Sequence, residues 1–168
     1  MKMTMIGAAL SVALLGGCVT IGTTGGTGGQ ATATPVAEES VVVRPASAAF
    51  VQQSEATFNA IRAASGLGPV RFDPAPAAAA EVHARDMAVN GFRGHTGSDG
   101  SSFLARARRA GGSCAVAENI TWGSSDVSGA FNWWQNSPQH ASAMARRDVA
   151  AFGLAEVNRI WVLVMARC

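Results

Sequence analysis

A stretch near the amino terminus limits how much of this chain can fold. Residues 19–47 contain no aromatic side chain and are dominated by Gly, Thr, Ala and Ser. Such a composition buries too little apolar surface to offset the entropy lost on ordering. We therefore predict a flexible tether over residues 18–47 and a folded domain over residues 48–168. About 120 residues are enough for one domain with one hydrophobic core.

The first 17 residues have the pattern of a secretory signal peptide. Lys2 is followed by an apolar run from Met5 to Leu15, which is too short for a permanent membrane span. The next residues, Leu-Gly-Gly-Cys ending at Cys18, resemble a bacterial lipobox. This pattern predicts cleavage before Cys18 and acylation of its side chain, for example with palmitate. At about 0.8 kcal/mol per buried CH₂, two or more acyl chains would anchor the protein durably. The alternative is a secreted protein with an incidental cysteine.

The charge of the chain and the residue after Cys18 indicate which partners and which membrane to expect. The chain carries 13 basic and 11 acidic residues, with no basic stripe and no nucleic-acid motif, so we expect no nucleic-acid partner. Val19, not an aspartate, follows Cys18, which by resemblance to the usual sorting pattern favours the outer membrane. We therefore expect a lipid-anchored protein of the bacterial cell envelope.

With Cys18 acylated, two cysteines remain. Cys114 and Cys168 form an even pair in an oxidising compartment, which favours a disulfide bond over two buried free thiols.

The periodicity of the domain predicts helices followed by a closing hairpin. Val51, Ser54, Phe58, Ile61 and Ser65 form one stripe of a first helix. An alanine-rich helix begins near Pro74 or Pro76 and ends at Gly91. A short helix is capped by Ser101 or Ser102, and an extended segment follows it. Two more helical segments come next, one beginning near Ser125 or Asp126 and the other at Pro138. Apolar strands flank the turn "NR" at 158–159, so we predict an α+β fold with helices covering an antiparallel sheet.

Three ionisable residues are candidates for a site. His95 lies in the glycine- and serine-rich loop "GFRGHTGSDGSS", Glu118 in "AENI" and His140 in "NSPQH". A histidine on such a loop is more typical of a site than of a core. Their spacing alone does not show whether they meet. His83, within the alanine-rich helix, is interpreted as a packing or hydrogen-bonding residue, and the four tryptophans mainly as core.

From Phe58 onward the chain resembles the CAP superfamily of cysteine-rich secretory, or SCP-like, proteins. The resemblance rests on the segments "FNAIRAASGLGPVRFDP", "AAEVHARDMAVNGFRGHTGSDG", "AENITWG", "WWQNSPQHASAM" and "FGLAEV…IWVLV". It implies an α-β-α sandwich with a cleft lined by two histidines and two glutamates. His95, Glu118 and His140 match three of these positions. At the fourth the chain offers Gln135, Asn136 or Ser137 and no acid. Asn59 and Arg62 match the family's N-x-x-R motif, which implies bonds from the first helix to neighbouring backbone.

Several uses of the cluster remain open at this stage. His95 and His140 are candidate ligands of a divalent ion such as zinc, with Glu118 completing or orienting the site. The residues also fit a hydrogen-bonded network that shapes a cleft. Ser137 and His140, three residues apart, would resemble a catalytic triad if Glu118 oriented the imidazole, with Glu118 and His140 as its catalytic members. A serine before a proline is, however, also typical of a helix cap.

We therefore expect a lipid-anchored CAP-domain protein that binds a small-molecule, glycan or protein ligand of the envelope or the extracellular space. His95, Glu118, His140 and Ser137 are the expected binding residues, and the membrane is the expected partner of Cys18. The alternatives are a metal-assisted hydrolase of the peptidase type and a purely structural envelope protein.

Overall fold

A computed structural model describes residues 40–168 as five helices and four strands. The predicted signal peptide (1–17), Cys18 and the tether up to residue 39 lie outside the described residues. Within residues 40–168 no helix is both long enough and apolar enough to cross a membrane. The elements, in chain order, are α1 Ala48–Ala64, β1 Arg71–Phe72, α2 Pro74–Asn90, α3 Phe103–Arg109, β2 Ala115–Trp122, α4 Val127–Gln135, α5 Pro138–Met144, β3 Ala151–Val157 and β4 Ile160–Ala166.

The strands form one sheet in the order β1-β3-β4-β2. β3 and β4 form the predicted hairpin, which turns at Asn158 and Arg159, both with positive φ. β2 pairs antiparallel with β4 and lies at the edge of the sheet. The two-residue strand β1 is the exception to the antiparallel arrangement, because it pairs with β3 in parallel.

Each face of the sheet supports its own core, which confirms the α-β-α sandwich. On one face, Phe152, Leu154, Trp161, Leu163 and Met165 pack with apolar side chains that include Phe58 of α1, Phe131 and Trp134 of α4 and Met144 of α5. On the other face, Val157, Ile160, Val162 and Val164 pack with Ala80, Ala84 and Met87 of α2. Every residue of β3 and β4 is buried, which explains why these strands are continuous apolar runs.

The helix caps lie at the positions that the sequence predicts. Asp73, Ser102 and Asp126 accept a backbone N–H at the starts of α2, α3 and α4, and Gly91 ends α2 in the left-handed conformation. The stripe predicted for α1 is partly wrong, since Ser65 is exposed while Phe50 and Arg62 are buried.

Arg62 is buried because it ties α1 to the loop that follows α5. Its guanidinium donates to the carbonyl oxygens of Gly68, Met144, Arg146 and Val149. Asn59 exchanges two hydrogen bonds with the backbone of Val70. These contacts confirm the expectation that both residues bind neighbouring backbone.

The predicted disulfide joins Cys114 to Cys168, with Cα atoms 6.0 Å apart. The two cysteines meet because β2 and β4 pair at Ala115 and Ala166, next to each cysteine. Closing a loop of 54 residues contributes about 4 kcal/mol to the free energy of unfolding in the chain-entropy model.

The last part of the predicted tether contacts the domain. Val43 forms a β-bridge with Val157, and the Arg44 amide donates to the Glu156 carbonyl. The Arg44 guanidinium forms an ion pair with Glu156 at 2.8 Å and lies 5.6 Å from the centre of the Trp161 ring.

At Gly153, β3 lies very close to the backbone at the start of α2. A Cβ atom on Gly153 would lie 1.9 Å from the Ala77 backbone nitrogen, so only glycine fits at this position. We predict that Gly153→Ala lowers the free energy of unfolding by about 3 kcal/mol or more, because rigid helix backbone must move away. Gly68→Ala is the control, since its Cβ meets nothing within 4 Å, and should change stability by less than about 0.5 kcal/mol. Chemical denaturation would measure both, and equal stability of the two variants would contradict the prediction.

Candidate functional site

The candidate site is built around two consecutive residues of the edge strand β2. Because side chains alternate along a strand, Glu118 and Asn119 point to opposite faces of the sheet. Glu118 is paired in register with Val164 and so faces the α2 side, whereas Asn119 is paired with Leu163 and faces the α4–α5 side. Each of them holds one of the two candidate histidines.

On the α2 side, Glu118 uses both carboxylate oxygens. Its side chain is 1% exposed, with Oε2 2.8 Å from Nη2 of Arg106 and Oε1 2.9 Å from Nδ1 of His95. A carboxylate this deeply buried stays charged only when it is paired and hydrogen-bonded. The structure therefore brings His95 and Glu118 into direct contact.

Arg106, which no sequence pattern singles out, organises this side of the site. Besides Glu118, its guanidinium donates to the carbonyl oxygens of His95 at 3.0 Å and Ser101 at 2.8 Å. It thereby fastens the loop that carries His95 to β2. Arg106 lies three residues after Phe103, a spacing that places both on the inner face of α3. Arg108 and Arg109 are close to it in the sequence, however, and the pattern does not indicate which of the three arginines is buried.

His83 lies beneath the site as a neutral, buried side chain. Its Nε2 is 2.8 Å from the carbonyl oxygen of Gly94, and burial lowers its pKa. In the neutral ring Nε2–H is thus the donor, and Nδ1 has no partner among the described residues. The Nε2 atom lies 3.9 Å from Glu118, too far for a hydrogen bond. His83 is the packing and hydrogen-bonding residue that the sequence predicted.

His95 is oriented by its hydrogen bond to Glu118. That bond is the main cause of its raised pKa, although burial acts against it. With Nδ1–H donating to the carboxylate, the opposite ring nitrogen Nε2 is left without a bond to any described residue. The side chain is 57% exposed, so the ring stands at the surface of the site.

His140 approaches the same strand from the other face. The Asn119 amide donates to the His140 carbonyl oxygen at 3.1 Å, and the His140 ring packs on Trp133 with centroids 5.1 Å apart. Its pKa is lowered mainly by burial, and the positive charge of protonated His95 adds to the effect. His95 and His140 are thus held by consecutive residues of β2 that face opposite sides of the sheet, and the β2 edge between them is called the groove below.

Ser137 contributes to the groove differently from either sequence interpretation. It occupies the N-cap position of α5, as the serine–proline pattern indicates, but its side chain makes no capping bond. Its hydroxyl instead lies 2.7 Å from Nδ1 of His140. Glu118 orients His95 and makes no hydrogen bond to His140, so Ser137, His140 and Glu118 do not form a connected triad.

The donor set does not match a three-ligand zinc centre. Both oxygens of Glu118 are engaged, and Nε2 of His95 and Nε2 of His140 are the nitrogens left over. Within residues 40–168 no group of three or more His, Cys, Asp or Glu residues is placed to hold a metal. Gln135 and Asn136, at the position of the second family glutamate, are exposed amides.

Two tryptophans are exposed near this edge. Trp134 and Trp161 are fully buried, whereas Trp133 is 48% exposed and packs on His140, as expected for one of an adjacent pair. Trp122, which was expected in the core, is 56% exposed at the end of β2. The reason is positional, because Trp122 is the last residue of the edge strand and Gly123 turns the chain away.

The fold has counterparts among solved structures. An extracellular protein with an SCP domain from Bacillus anthracis aligns with a TM-score of 0.67 and 23% identity, over 71% of this chain and 41% of that one. An outer surface protein from Borrelia burgdorferi aligns at a TM-score of 0.62 and 16% identity, over 75% of this chain and 97% of that one. A cysteine-rich secretory protein from Staphylococcus aureus aligns at a TM-score of 0.58 and 17% identity, over 74% and 41% of the two chains.

The family comparison covers most of the domain. No curated protein matches the chain in sequence. The model of the cysteine-rich secretory protein family matches residues 56–158, which include His95, Glu118, Ser137 and His140. The chain therefore belongs to the CAP, or cysteine-rich secretory protein, family.

Proposed function

We propose that this chain is an extracytoplasmic, lipid-anchored binding protein whose ligand occupies the groove between His95 and His140. The observation that carries the proposal is the matched hydrogen bonding of the two imidazoles. Each ring uses Nδ1 for an internal hydrogen bond, to Glu118 in one case and to Ser137 in the other. Each therefore keeps Nε2 available for a ligand at the same strand edge.

The chemistry of the groove favours binding over hydrolysis. Glu118 is saturated by Arg106 and His95, so it is not a free base, and the chain has no second carboxylate at the matching family position. A hydrolase would need a third metal ligand or an acid that orients His140. The Ser137–His140 pair at 2.7 Å is the one contact that favours hydrolysis, as a hydroxyl beside an imidazole.

The proposed location rests on the amino terminus and on the disulfide. The lipobox at Cys18 supports acylation, the Cys114–Cys168 bond supports an oxidising compartment, and Val19 favours the outer membrane. The structural neighbours are described as extracellular, outer-surface and secretory proteins, which agrees with such a location.

The ligand test compares two histidine variants with an exposed control. We expect His95→Gln and His140→Gln each to weaken binding of soluble peptidoglycan fragments or of solubilised envelope proteins at least tenfold, with melting temperatures close to that of the parent chain. Arg85→Gln, an exposed change on α2, should bind normally. Affinity capture followed by titration calorimetry measures this. Unchanged binding by both histidine variants, or turnover of an ester substrate lost in both, would contradict a binding role.

The charge state of the groove gives a pH-dependent prediction. Histidine ring NMR should show a raised pKa for His95 and lowered pKa values for His83 and His140. A raised folded-state pKa means that the His95–Glu118 bond contributes fully to stability below about pH 6.5. This contribution is lost as the pH rises through the raised pKa of His95. Glu118→Gln should lower the pKa of His95, whereas Glu81→Gln on α2 should leave it unchanged. An unchanged His95 pKa in Glu118→Gln would refute the claim that the bond to Glu118 raises it.

The anchor is tested by replacing the acylated thiol. Cys18→Ser should move the protein from the membrane fraction to the soluble fraction, because its acyl chains supply the membrane affinity. Val19→Asp is the sorting control and should keep the protein on a membrane while moving it from the outer to the inner one. Retention of Cys18→Ser in the membrane fraction would contradict lipidation.

A further inference from the structure

The outer edge of β2 carries a row of backbone groups that point away from the sheet. The Ala150 amide donates to the Ala166 carbonyl, so Ala166 faces β3, and alternation makes Met165, Leu163 and Trp161 face β2. Their register partners Ala117, Asn119 and Thr121 therefore face β4. At the other end of β2, the Gly123 amide donates to the Arg159 carbonyl, which gives the same alternation of inward- and outward-facing residues.

It follows that the N–H and C=O groups of Glu118, Ile120 and Trp122 face the open edge. None of these groups bonds to another described residue outside the β2–β4 pairing. Glu118 and Ile120 are only 8% and 5% exposed, whereas Trp122 is 56% exposed, so the row is buried at its Glu118 end and exposed at its Trp122 end. Buried backbone groups are almost always paired in folded proteins.

Open edges are normally protected against strand pairing by lysine, proline or inward-pointing charge. The outward row of β2 has neither lysine nor proline. Glu118 does point inward, but its carboxylate is already buried and paired with Arg106 and His95, so an added strand would bury no new charge. The irregularity in its pairing with β4 lies at Ala115–Ala117, before the row begins. The part of the edge between the two histidines therefore remains competent to pair.

We propose that the β2 edge binds an extended peptide as an added strand, between His95 and His140; this rests on the proposed binding function and names its ligand class. Alternating donors and acceptors two residues apart match the backbone of an extended polypeptide. An acyl chain has no such groups, and sugar hydroxyls do not repeat at this spacing. Side chains of the added strand would alternate between the His95 side and the side of His140 and Trp133.

Hydrogen exchange tests the edge before any ligand is added. In the free protein the Glu118 and Ile120 amides should exchange at least tenfold faster than those of Asn119 and Thr121, which donate to β4. Equal protection at all four positions would overturn the proposal.

Peptide binding is then tested with a displayed library of random seven-residue peptides, and the strongest binder is synthesised. Its binding should slow exchange at Glu118 and Ile120. N-methylation at every second residue of the peptide should abolish binding, whereas methylation at the intervening residues should be tolerated. The absence of any binder, or equal effects of the two methylation series, would overturn strand addition.

A matched pair of variants tests the protein side. Trp122→Pro removes an outward N–H at the exposed end of β2 without removing a bond to β4, and Trp122→Val keeps that N–H. We expect Trp122→Pro to bind the peptide at least tenfold more weakly than Trp122→Val, with equal thermal stability. Equal affinities would overturn the proposal. It would also be overturned if, without peptide, protection of the β2 edge against hydrogen exchange increased with protein concentration, because a second copy of the chain would then occupy the edge. Envelope fragments that still bind through His95 and His140 would leave the broader function standing.

Discussion

The buried ion pair between Glu118 and Arg106 is the interaction on which the groove depends. It joins β2 to α3, and through the carbonyl oxygens of Ser101 and His95 it also holds the loop between α2 and α3. Removing one partner of a buried pair typically costs about 3–5 kcal/mol, because the other charge stays buried and uncompensated. The same pair leaves one carboxylate oxygen for His95, so the stability of this region and the orientation of the imidazole have a common origin.

The position of β2 at the edge of the sheet explains how one strand serves both histidines. In a central strand, the backbone between the two faces would be covered by neighbouring strands. At the edge, Glu118 and Asn119 hold His95 and His140 on opposite faces, while the backbone of this strand has no partner strand on its outer side. A site that straddles a strand edge in this way needs only two loops, one before α3 and one before α5.

Local patterns predicted the elements better than they predicted the contacts. The β3–β4 hairpin follows from two apolar runs around Asn158 and Arg159, and His95 was recognised because a histidine on a glycine-rich loop has no packing reason to be there. Arg106 could not be selected, because its partner Glu118 lies on another element and three arginines share α3. The partner of the Ser137 hydroxyl could not be predicted for a similar reason, since proline after serine indicates a helix cap, whereas the contact with Nδ1 of His140 depends on the geometry of α5.

The short pairing of Val43 with Val157 has a mechanical consequence. A pulling force applied through the residues that precede Val41 first reaches the bonds between Val42 and Asn158, then the bridge at Val43 and the Arg44–Glu156 ion pair. Contacts of this kind open one at a time, at far lower load than a strand sheared along its length within a sheet. The junction would therefore yield and lengthen under tension while both cores of the sandwich stay intact.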